Sequence, residues 1–376
     1  MGAATACFLA RDHGMAVTVL ERDPTFARAA SALSASSIRQ QFSQPVNIAL
    51  SQWSLAFLRR AAHELAVDGD VPALALVETG YLYLAGDALA PVLRANHAVQ
   101  RAAGVDVALL WPAALAARFP WLAVDGVVLG SLGCSGEGWF DGPALLHAFR
   151  RKARACGAQL VTAEAVGFES AGDRVTAVLA SDGRRFDAHA VVIAAGAWSS
   201  PLGARLGVEL PVVAKKRDVF VLDAPAVLPG CPLVIDPTGV WFRPEGRGFI
   251  AGAPPRDDSL DDEPLEAIDH AWFDERVWPV LAARMPAFEA LRVRSAWAGY
   301  YEMNTFDHNG LAGALPGWRN AYTACGFSGH GLQQAPAVAC ALASLIAGAR
   351  RDTPDIGPLS PSRVGKGQRL LERNVI

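Results

Sequence analysis

The chain opens with an apolar segment, a glycine and a β-rich segment. Small and apolar residues run from Gly2 to Ala10, Gly14 follows, and residues 16–20 are apolar or β-branched before the acidic Glu21. This order predicts a helix that ends near Gly14 and a strand that ends at Glu21. In a dinucleotide-binding βαβ unit, the last fingerprint glycine and an acidic residue stand about 20 positions apart. Gly2 and Glu21 fit that spacing, although an alanine-rich helix followed by a strand explains the same pattern.

The front half of such a unit is not found before Gly2. A strand and two further glycines, which bring backbone N–H groups to a pyrophosphate, would be expected there. A central strand is costly to lose, because its two neighbours are left with open edges and total stability is roughly 5–15 kcal/mol. We therefore expect Met1 to be an internal methionine and the natural chain to begin about ten or more residues earlier.

The rest of the chain alternates helical and strand-like periods, as an α/β protein does. Residues 160–168 and 174–181 are predicted to form an antiparallel meander, and the buried strand that ends at Gly196 is predicted to lie in a parallel sheet. The predicted helices cover 45–65, 88–103, a short segment from 112, 144–155, 265–285 and 335–347. The other predicted strands cover 77–84, 219–222, 233–235, 240–243, 249–253 and 321–324, with a loop over 22–37 and an irregular tail after 354.

Composition limits the function classes. The 376 residues are 52% hydrophobic and 19% charged, which excludes disorder and suits an α/β enzyme of two domains. The net charge of −3 provides no basic field for nucleic acid. Small-molecule partners are therefore expected.

Cysteine spacing and apolar runs indicate the compartment. The six cysteines show no C-x-x-C or C-x-x-H spacing, so we expect reduced thiols, no metal site and a cytoplasmic protein. The segment from Gly2 to Ala10 lacks a basic region before it, so it is not predicted to be a signal peptide. The longest apolar run, 335–349, is too short to span a bilayer.

Three separated stretches carry a resemblance to a known family. They are the half fingerprint at Gly2, the strand Val191-Val-Ile-Ala-Ala-Gly196, and the loop Gly326-Phe-Ser-Gly-His-Gly331 before a helix. Together they resemble the D-amino-acid oxidase superfamily of FAD enzymes. The stretches 326–336, 297–310 and 34–53 are similar to the sarcosine oxidase and dimethylglycine dehydrogenase branch. They are most similar to the FAD-dependent oxidoreductase domain-containing subgroup, which includes a complex I assembly oxidoreductase.

The resemblance implies a Rossmann-like FAD-binding domain with an inserted, mixed-sheet substrate domain of the glutathione-reductase type. The flavin domain would comprise residues 1–75, 134–213 and 295–376, and the substrate domain residues 76–133 and 214–294. The ribose would bind Glu21, and the isoalloxazine would lie near 326–331, where a helix N-terminus favours negative charge on the reduced ring. The implied cofactor-binding residues are Gly2, Glu21, Arg22, Gly196, Trp198, Gly326, Gly329, His330, Gly331 and Leu332.

The resemblance also implies a substrate site for an amino acid or a secondary (N-methyl) amine. Arg39 aligns with the arginine that holds the substrate carboxylate, and a guanidinium suits that task; a structural ion pair is the alternative. Gln333 stands where relatives have a lysine. Tyr300, Tyr301 and His308 could line the substrate side of the ring, with plain packing as the alternative, and Arg39, Tyr300, Tyr301 and Gln333 are the candidate catalytic residues.

Two departures from the branch refine these expectations. Relatives attach FAD to a cysteine, whereas this chain has Gly299-Tyr300-Tyr301 in that region, so a non-covalent flavin is expected. Relatives also place a lysine near the position of Ile250, and no lysine occurs between Arg217 and Val364, which favours a dehydrogenase with a protein or quinone acceptor over an oxidase. A catalytically inactive assembly factor and a 2-hydroxy acid dehydrogenase remain as alternatives.

Overall fold

A computed structural model describes residues 1–349 and 352–374. Its α-helices are α1 (Gly2–His13), α2 (Ala30–Leu33), α3 (Pro45–Glu64), α4 (Ala90–Ala102), α5 (Pro112–Arg118), α6 (Gly142–Ala155), α7 (Ser199–Arg205), α8 (His270–Trp272), α9 (Trp278–Arg284), α10 (Gly331–Ala347) and α11 (Ser362–Gly365). Short 3-10 turns cover Gly196–Trp198, Pro286–Ala290 and Gly357–Leu359, and a π-helical turn covers Phe273–Val277.

The strands are β1 (Thr18–Glu21), β2 (Ser37–Ile38), β3 (Tyr81–Ala85), β4 (Val107–Leu110), β5 (Leu129–Gly133), β6 (Gly138–Trp139), β7 (Gln159–Thr162), β8 (Ala165–Ala171), β9 (Arg174–Ala180), β10 (Arg185–Asp187), β11 (Val191–Ile193), β12 (Val212–Asp223), β13 (Leu233–Ile235), β14 (Trp241–Glu245), β15 (Gly248–Gly252), β16 (Arg292–Asn304), β17 (Leu311–Ala314) and β18 (Ala321–Cys325).

Two architectures are combined in these strands. Parallel pairs join β1 to β7 and β11 to β18, with β17 antiparallel to β18. A mixed sheet of eight strands has the order β16-β12-β15-β14-β13-β3-β5-β4. The α/β class and the mixed sheet are therefore confirmed. The proposed domain boundaries stay a prediction, and residues 350, 351, 375 and 376 of the last segment lie outside the described residues.

Helix α1 lies at the centre of the largest apolar cluster. It ends at Gly14, whose φ of 61° is left-handed and whose N–H donates to the Leu9 carbonyl. Phe8 packs on Phe57 of α3 and Phe149 of α6, with ring centroids 5.7 and 5.9 Å apart. Because one buried face meets two helices, this small-residue helix is fixed in place by packing.

Several predicted elements need correction. Residues 22–37 contain the short helix α2, and the predicted strand over 160–168 is divided between β7, which pairs parallel with β1, and β8, which pairs with β9. The helix predicted from 265 begins at His270, because the Asp269 side chain accepts the N–H of Trp272 as a cap. Helix α10 begins at Gly331, four residues before its predicted start.

Candidate functional site

Three remote segments of the chain meet at the end of the parallel strands. The guanidinium carbon of Arg22, next to the end of β1, lies 4.0 Å from the ring centroid of Trp198. The carboxylate of Glu302 lies 3.8 Å from the position that a Cβ would take at Gly196, and 3.1 Å from that of Gly331. The turn after β11 and the turn before α10 therefore converge on one place.

Helix α1 begins beside the same place. A Cβ on Gly2 would lie 3.6 Å from the Cβ of Ala194, which follows β11. Burial raises the pKa of Glu302 above its ordinary value, because the carboxylate has lost water, while backbone N–H groups of residues 326 and 327 oppose that shift. The carboxyl of Glu302, on β16, thus lies against the glycine loop.

The loop 326–331 is packed too tightly for side chains at its glycines. Gly326 and Gly329 have φ values of 70° and 89°, in the left-handed region. A Cβ on Gly329 would lie 2.3 Å from the ring of Tyr301. Leu332, in the first turn of α10, packs against the apolar cluster around α1. Residues 326–328 and His330 are buried and Gly329 is exposed, so a ligand against α10 can reach the loop backbone at Gly329.

His330 is buried within this loop. Its side chain is 2% exposed, and neither ring nitrogen has a hydrogen-bond partner among the described residues. Burial, assisted by the charge of Arg39, lowers its pKa to about 3, so the imidazole is neutral. A buried polar group without a partner costs about 1–3 kcal/mol. The unpartnered nitrogens fit a site that is completed by the polar atoms of a bound cofactor or substrate.

A cavity lies between the loop and the mixed sheet. Arg39, Tyr301, Gln333 and Gly329, four of the residues singled out from the sequence, line it together. Its other lining residues come from β2 and the segment before it, from strands β3, β13 and β14, and from the glycine loop. They are Ala35, Ser37, Tyr81, Leu233, Trp241 and Ser328. These six were missed, because side chains on separate strands show no common spacing in the sequence.

The guanidinium of Arg39 is held by backbone carbonyls. Its Nη1 donates to the carbonyl of Gln41 at 2.8 Å, and its Nη2 donates to that of Asn374. The ring of Phe42 lies beneath it, with the guanidinium carbon 4.1 Å from the ring centroid. Arg39 is 4% exposed, and among the described residues no carboxylate lies within 4 Å of it. This buried cation has N–H groups to offer to an anion in the cavity.

The two candidate tyrosines point in opposite directions. Successive side chains on a strand alternate between faces. Tyr301 on β16 lines the cavity and touches Gly329, whereas the hydroxyl of Tyr300 donates to the carbonyl of Glu263 at 2.7 Å and its ring packs on Trp198. Gln333 lies with Tyr301, and its Oε1 accepts the backbone N–H of Arg39 at 2.8 Å.

The remaining predicted residues lie farther from the cavity. The carboxylate of Glu21 accepts the N–H of Asp23 at 2.9 Å, at the end of β1. His308 is exposed on a turn with a φ of 56°, and it does not line the cavity. In residues 1–349 and 352–374, no group of three His, Cys, Asp or Glu side chains is placed to hold a metal ion. No helix in this described part is long and apolar enough to cross a bilayer.

Glu137 is a site residue that the sequence did not reveal. It is fully buried, and Oε1 accepts the backbone N–H groups of Gln40 and Gln41 at 2.6 and 3.0 Å, while Oε2 accepts the Gln41 side chain at 2.8 Å. A Cβ on Gly133 would lie 1.9 Å from Oε2, so the glycine makes room for the carboxylate. Glu137 thereby fixes the backbone that follows Arg39. Its position between two glycines was the available signal.

The buried Glu137 makes folding pH-dependent. Burial raises its pKa from an ordinary value of 4.5 to about 7, with the hydrogen bonds from Gln41 and Gln40 opposing the shift. The folded chain therefore binds more protons than the unfolded chain between these pH values, and this residue's stabilising contribution falls as pH rises through about 7. The variant E137Q does not titrate at this position. We expect the melting temperature of E137Q minus that of the wild type to be higher at pH 8 than at pH 5. A difference that does not change with pH would contradict this.

Comparison with known proteins identifies the family. The profile of the DAO family, FAD dependent oxidoreductase, matches residues 1–345. The FAD-dependent oxidoreductase domain-containing protein 1 of Xenopus laevis is 41% identical over 97% of this chain and 80% of its own length. The structure is similar to L-proline dehydrogenase from P. horikoshii, with a TM-score of 0.83, 25% identity, and 98% and 96% of the two chains covered. It is also similar to glycine oxidase from Geobacillus kaustophilus, with a TM-score of 0.81, 26% identity, and 96% and 95% covered.

The matched region contains the three segments that converge at the end of the parallel strands and all the residues that line the cavity. The relatives and the fold agree with the family that the glycine stretches indicated. The chain belongs to the DAO family of FAD-dependent oxidoreductases.

Proposed function

We propose that this chain is an FAD-dependent dehydrogenase that oxidises the C–N bond of an amino acid or an N-methyl amino acid. The observation that carries the proposal is the cavity in which Arg39, Tyr301 and Gln333 lie beside the glycine loop 326–331. The cationic group of Arg39, the aromatic ring of Tyr301 and the N-terminus of α10 lie together at this site. The relatives named as a proline dehydrogenase and a glycine oxidase support an amino acid as the substrate class.

The residues around the converging turns fit FAD. We propose that Gly2, Glu21, Arg22 and Trp198 hold its adenosine side, and that Gly196 and the loop 326–331 hold its flavin side. Left-handed glycines allow the backbone to approach, and the unpartnered nitrogens of His330 provide polar groups in a buried position. When bound, FAD supplies the acceptor for a hydride from the substrate carbon.

The chain's own residues orient the substrate. The remaining N–H groups of Arg39 would bind the carboxylate, and Gln333 fixes the backbone N–H of Arg39 so that the arginine stays next to α10. Tyr301 and Trp241 exclude water from the cavity, which strengthens the interaction of the carboxylate with the guanidinium. Burial raises the pKa of Tyr301, so the phenol stays neutral in the cavity.

Anaerobic reduction tests this function. The protein is loaded with FAD and mixed with a panel of N-methyl amino acids, primary amino acids and 2-hydroxy acids. We expect the yellow absorbance of the flavin to bleach with an amino or N-methyl amino acid. Bleaching by 2-hydroxy acids alone would replace the proposed substrate class. A yellow protein that no substrate reduces would favour the assembly-factor alternative.

An acceptor other than oxygen is proposed. Ile250 is buried on β15 and pairs with Arg243 of β14, whose guanidinium pairs with Glu245 and donates to the carbonyl of Ala35. The positive charge of Arg243, next to Ile250, is thus already balanced by Glu245. We expect turnover with a dye or quinone to exceed turnover with oxygen, measured as dye reduction against oxygen consumption. Equal rates with oxygen would make the protein an oxidase.

The cytoplasmic compartment expected from the cysteines also stays a prediction.

A non-covalent flavin is proposed from the environment of Gly299. A Cβ at this position would lie 2.9 Å from the Cβ of Leu33, which leaves no room for the cysteine that relatives use. The indole of Trp297 donates to the carbonyl of Leu33 at 2.9 Å and keeps that residue in place. We expect acid precipitation to release all the flavin into the supernatant. Yellow colour retained in the denatured pellet would contradict this.

A further inference from the structure

The last described residues return to the cavity as an extended tail. Along residues 371–374 exposure alternates, with Glu372 and Asn374 buried and Leu371 and Arg373 exposed. The start of the tail is held by Asp307, whose Oδ2 accepts the N–H of Leu370 at 2.9 Å. This alternation gives the tail an inner face that reaches Arg39.

Glu372 fixes the tail to the segment that follows Arg39. Its carboxylate accepts the N–H and the hydroxyl of Ser43 at 2.9 and 2.7 Å, the side-chain amide of Asn47 at 2.9 Å, and the N–H of Asn374 at 2.9 Å. Glu372 is only 1% exposed. A carboxylate with four donors is held in one orientation.

Asn374 contacts Arg39, the carbonyl of Gln41 and helix α4. Its carbonyl accepts from Nη2 of Arg39. Its side-chain amide donates to the carbonyl of Gln41 at 2.9 Å, and its Oδ1 accepts from the side chain of Asn96 on α4 at 3.0 Å. Gln41 is also the residue whose carbonyl accepts from Nη1 of Arg39. Asn374 therefore provides one of the two carbonyls that bind the guanidinium, and its side chain holds the other.

We propose that Asn374 and Glu372 are positioning residues that aim Arg39 into the cavity and make the site selective for a carboxylate. The inference rests on the proposed function of Arg39. A guanidinium has five N–H groups in one plane. The two carbonyls take one N–H on each terminal nitrogen, and Phe42 covers one face, so the remaining N–H groups have a fixed direction. If the tail loosens, the charge stays but its orientation is lost.

Selective binding of a carboxylate tests this positioning role. Benzoate and its neutral analogue benzamide are titrated into the FAD-supplemented protein by calorimetry, which needs no turnover. The variants are N374A, E372Q and N96A, and R373A is the control in the same tail, with an exposed side chain. We expect the Kd of benzoate to rise about tenfold in N374A and E372Q and less in N96A, because oriented charge-assisted hydrogen bonds are lost. The Kd of benzamide and the behaviour of R373A should stay at wild-type values.

The outcomes separate this inference from the proposed function. If R39M loses benzoate affinity while N374A, E372Q and N96A retain it within twofold, the tail has no positioning role. If R39M binds benzoate like wild type, the proposed anchor is wrong and the inference falls with it. Equal weakening of benzoate and benzamide in the tail variants would indicate a purely structural effect and overturn the inference. Should E372Q unfold, N96A decides, because it removes a single side-chain bond to Asn374.

Discussion

Replacing Arg39 by methionine is expected to lower kcat/KM for an amino-acid substrate about 100-fold, mainly through KM. The proposed carboxylate would lose charge-assisted hydrogen bonds, each of which contributes roughly 1.5–3 kcal/mol. Methionine retains much of the apolar stem beside Phe42, so packing changes little. The measurement is steady-state kinetics with a dye acceptor, together with the Kd of benzoate.

Two further variants make this result specific. In R39K the charge remains but the planar donor arrangement is lost, so an intermediate decrease is expected. In R59M an exposed arginine, paired with Glu78 on the surface of α3, is removed, and kinetics should not change. A wild-type KM in R39M would show that Arg39 is a structural residue that only binds the carbonyls of Gln41 and Asn374.

Replacing Gly329 by alanine is expected to disrupt the proposed flavin site. The φ of 89° is left-handed, and the added Cβ would lie 2.3 Å from the ring of Tyr301. The backbone alone costs roughly 1–2 kcal/mol, and the clash displaces either the tyrosine or the loop that faces the proposed flavin. We expect at least about tenfold weaker FAD binding, measured by flavin fluorescence on titration with FAD.

Gly348 provides the matched control for this substitution. It has a φ of 64° at the end of α10, and its Cβ would meet no atom within 4 Å. G348A therefore carries the backbone strain without the clash, and it should lower the melting temperature without changing FAD affinity. If G329A and G348A bind FAD equally well, close packing of the loop against Tyr301 is not required.

The proposed substrate site has two supports next to Arg39, which are Glu137 and the tail. Glu137 accepts the backbone N–H groups of Gln40 and Gln41, and the tail holds the carbonyl of Gln41 through Asn374 and Ser43 through Glu372. Both carboxylates are buried and bound by several donors. The charge of Arg39 acts on both carboxylates only through space, and no carboxylate of the described residues lies within 4 Å of it, so its remaining N–H groups keep a fixed orientation and stay available to a substrate.

Local signals determined the elements that the sequence predicted well. Helix α1 ends at Gly14 because only a left-handed residue fits there, and α6 starts after Asp141, whose side chain accepts the N–H of Ala144. The start of α10 was predicted four residues late, because Gly331 and Leu332 were assigned to the glycine loop. In each case the signal lies within a few residues of the feature.

The sequence by itself determined the family, the glycine turns and the candidate residues Arg39, Tyr301 and Gln333, because these depend on residue type and short spacing. Only the tertiary structure decided which side chains share the cavity. Tyr300 and Tyr301 are adjacent, yet the alternation of β16 sends them to opposite faces. Glu137 reaches the backbone that follows Arg39 across about a hundred positions, and the tail residue Asn374 reaches Arg39 itself across over three hundred. Such contacts arise from packing between distant elements, and no local pattern in the chain encodes them.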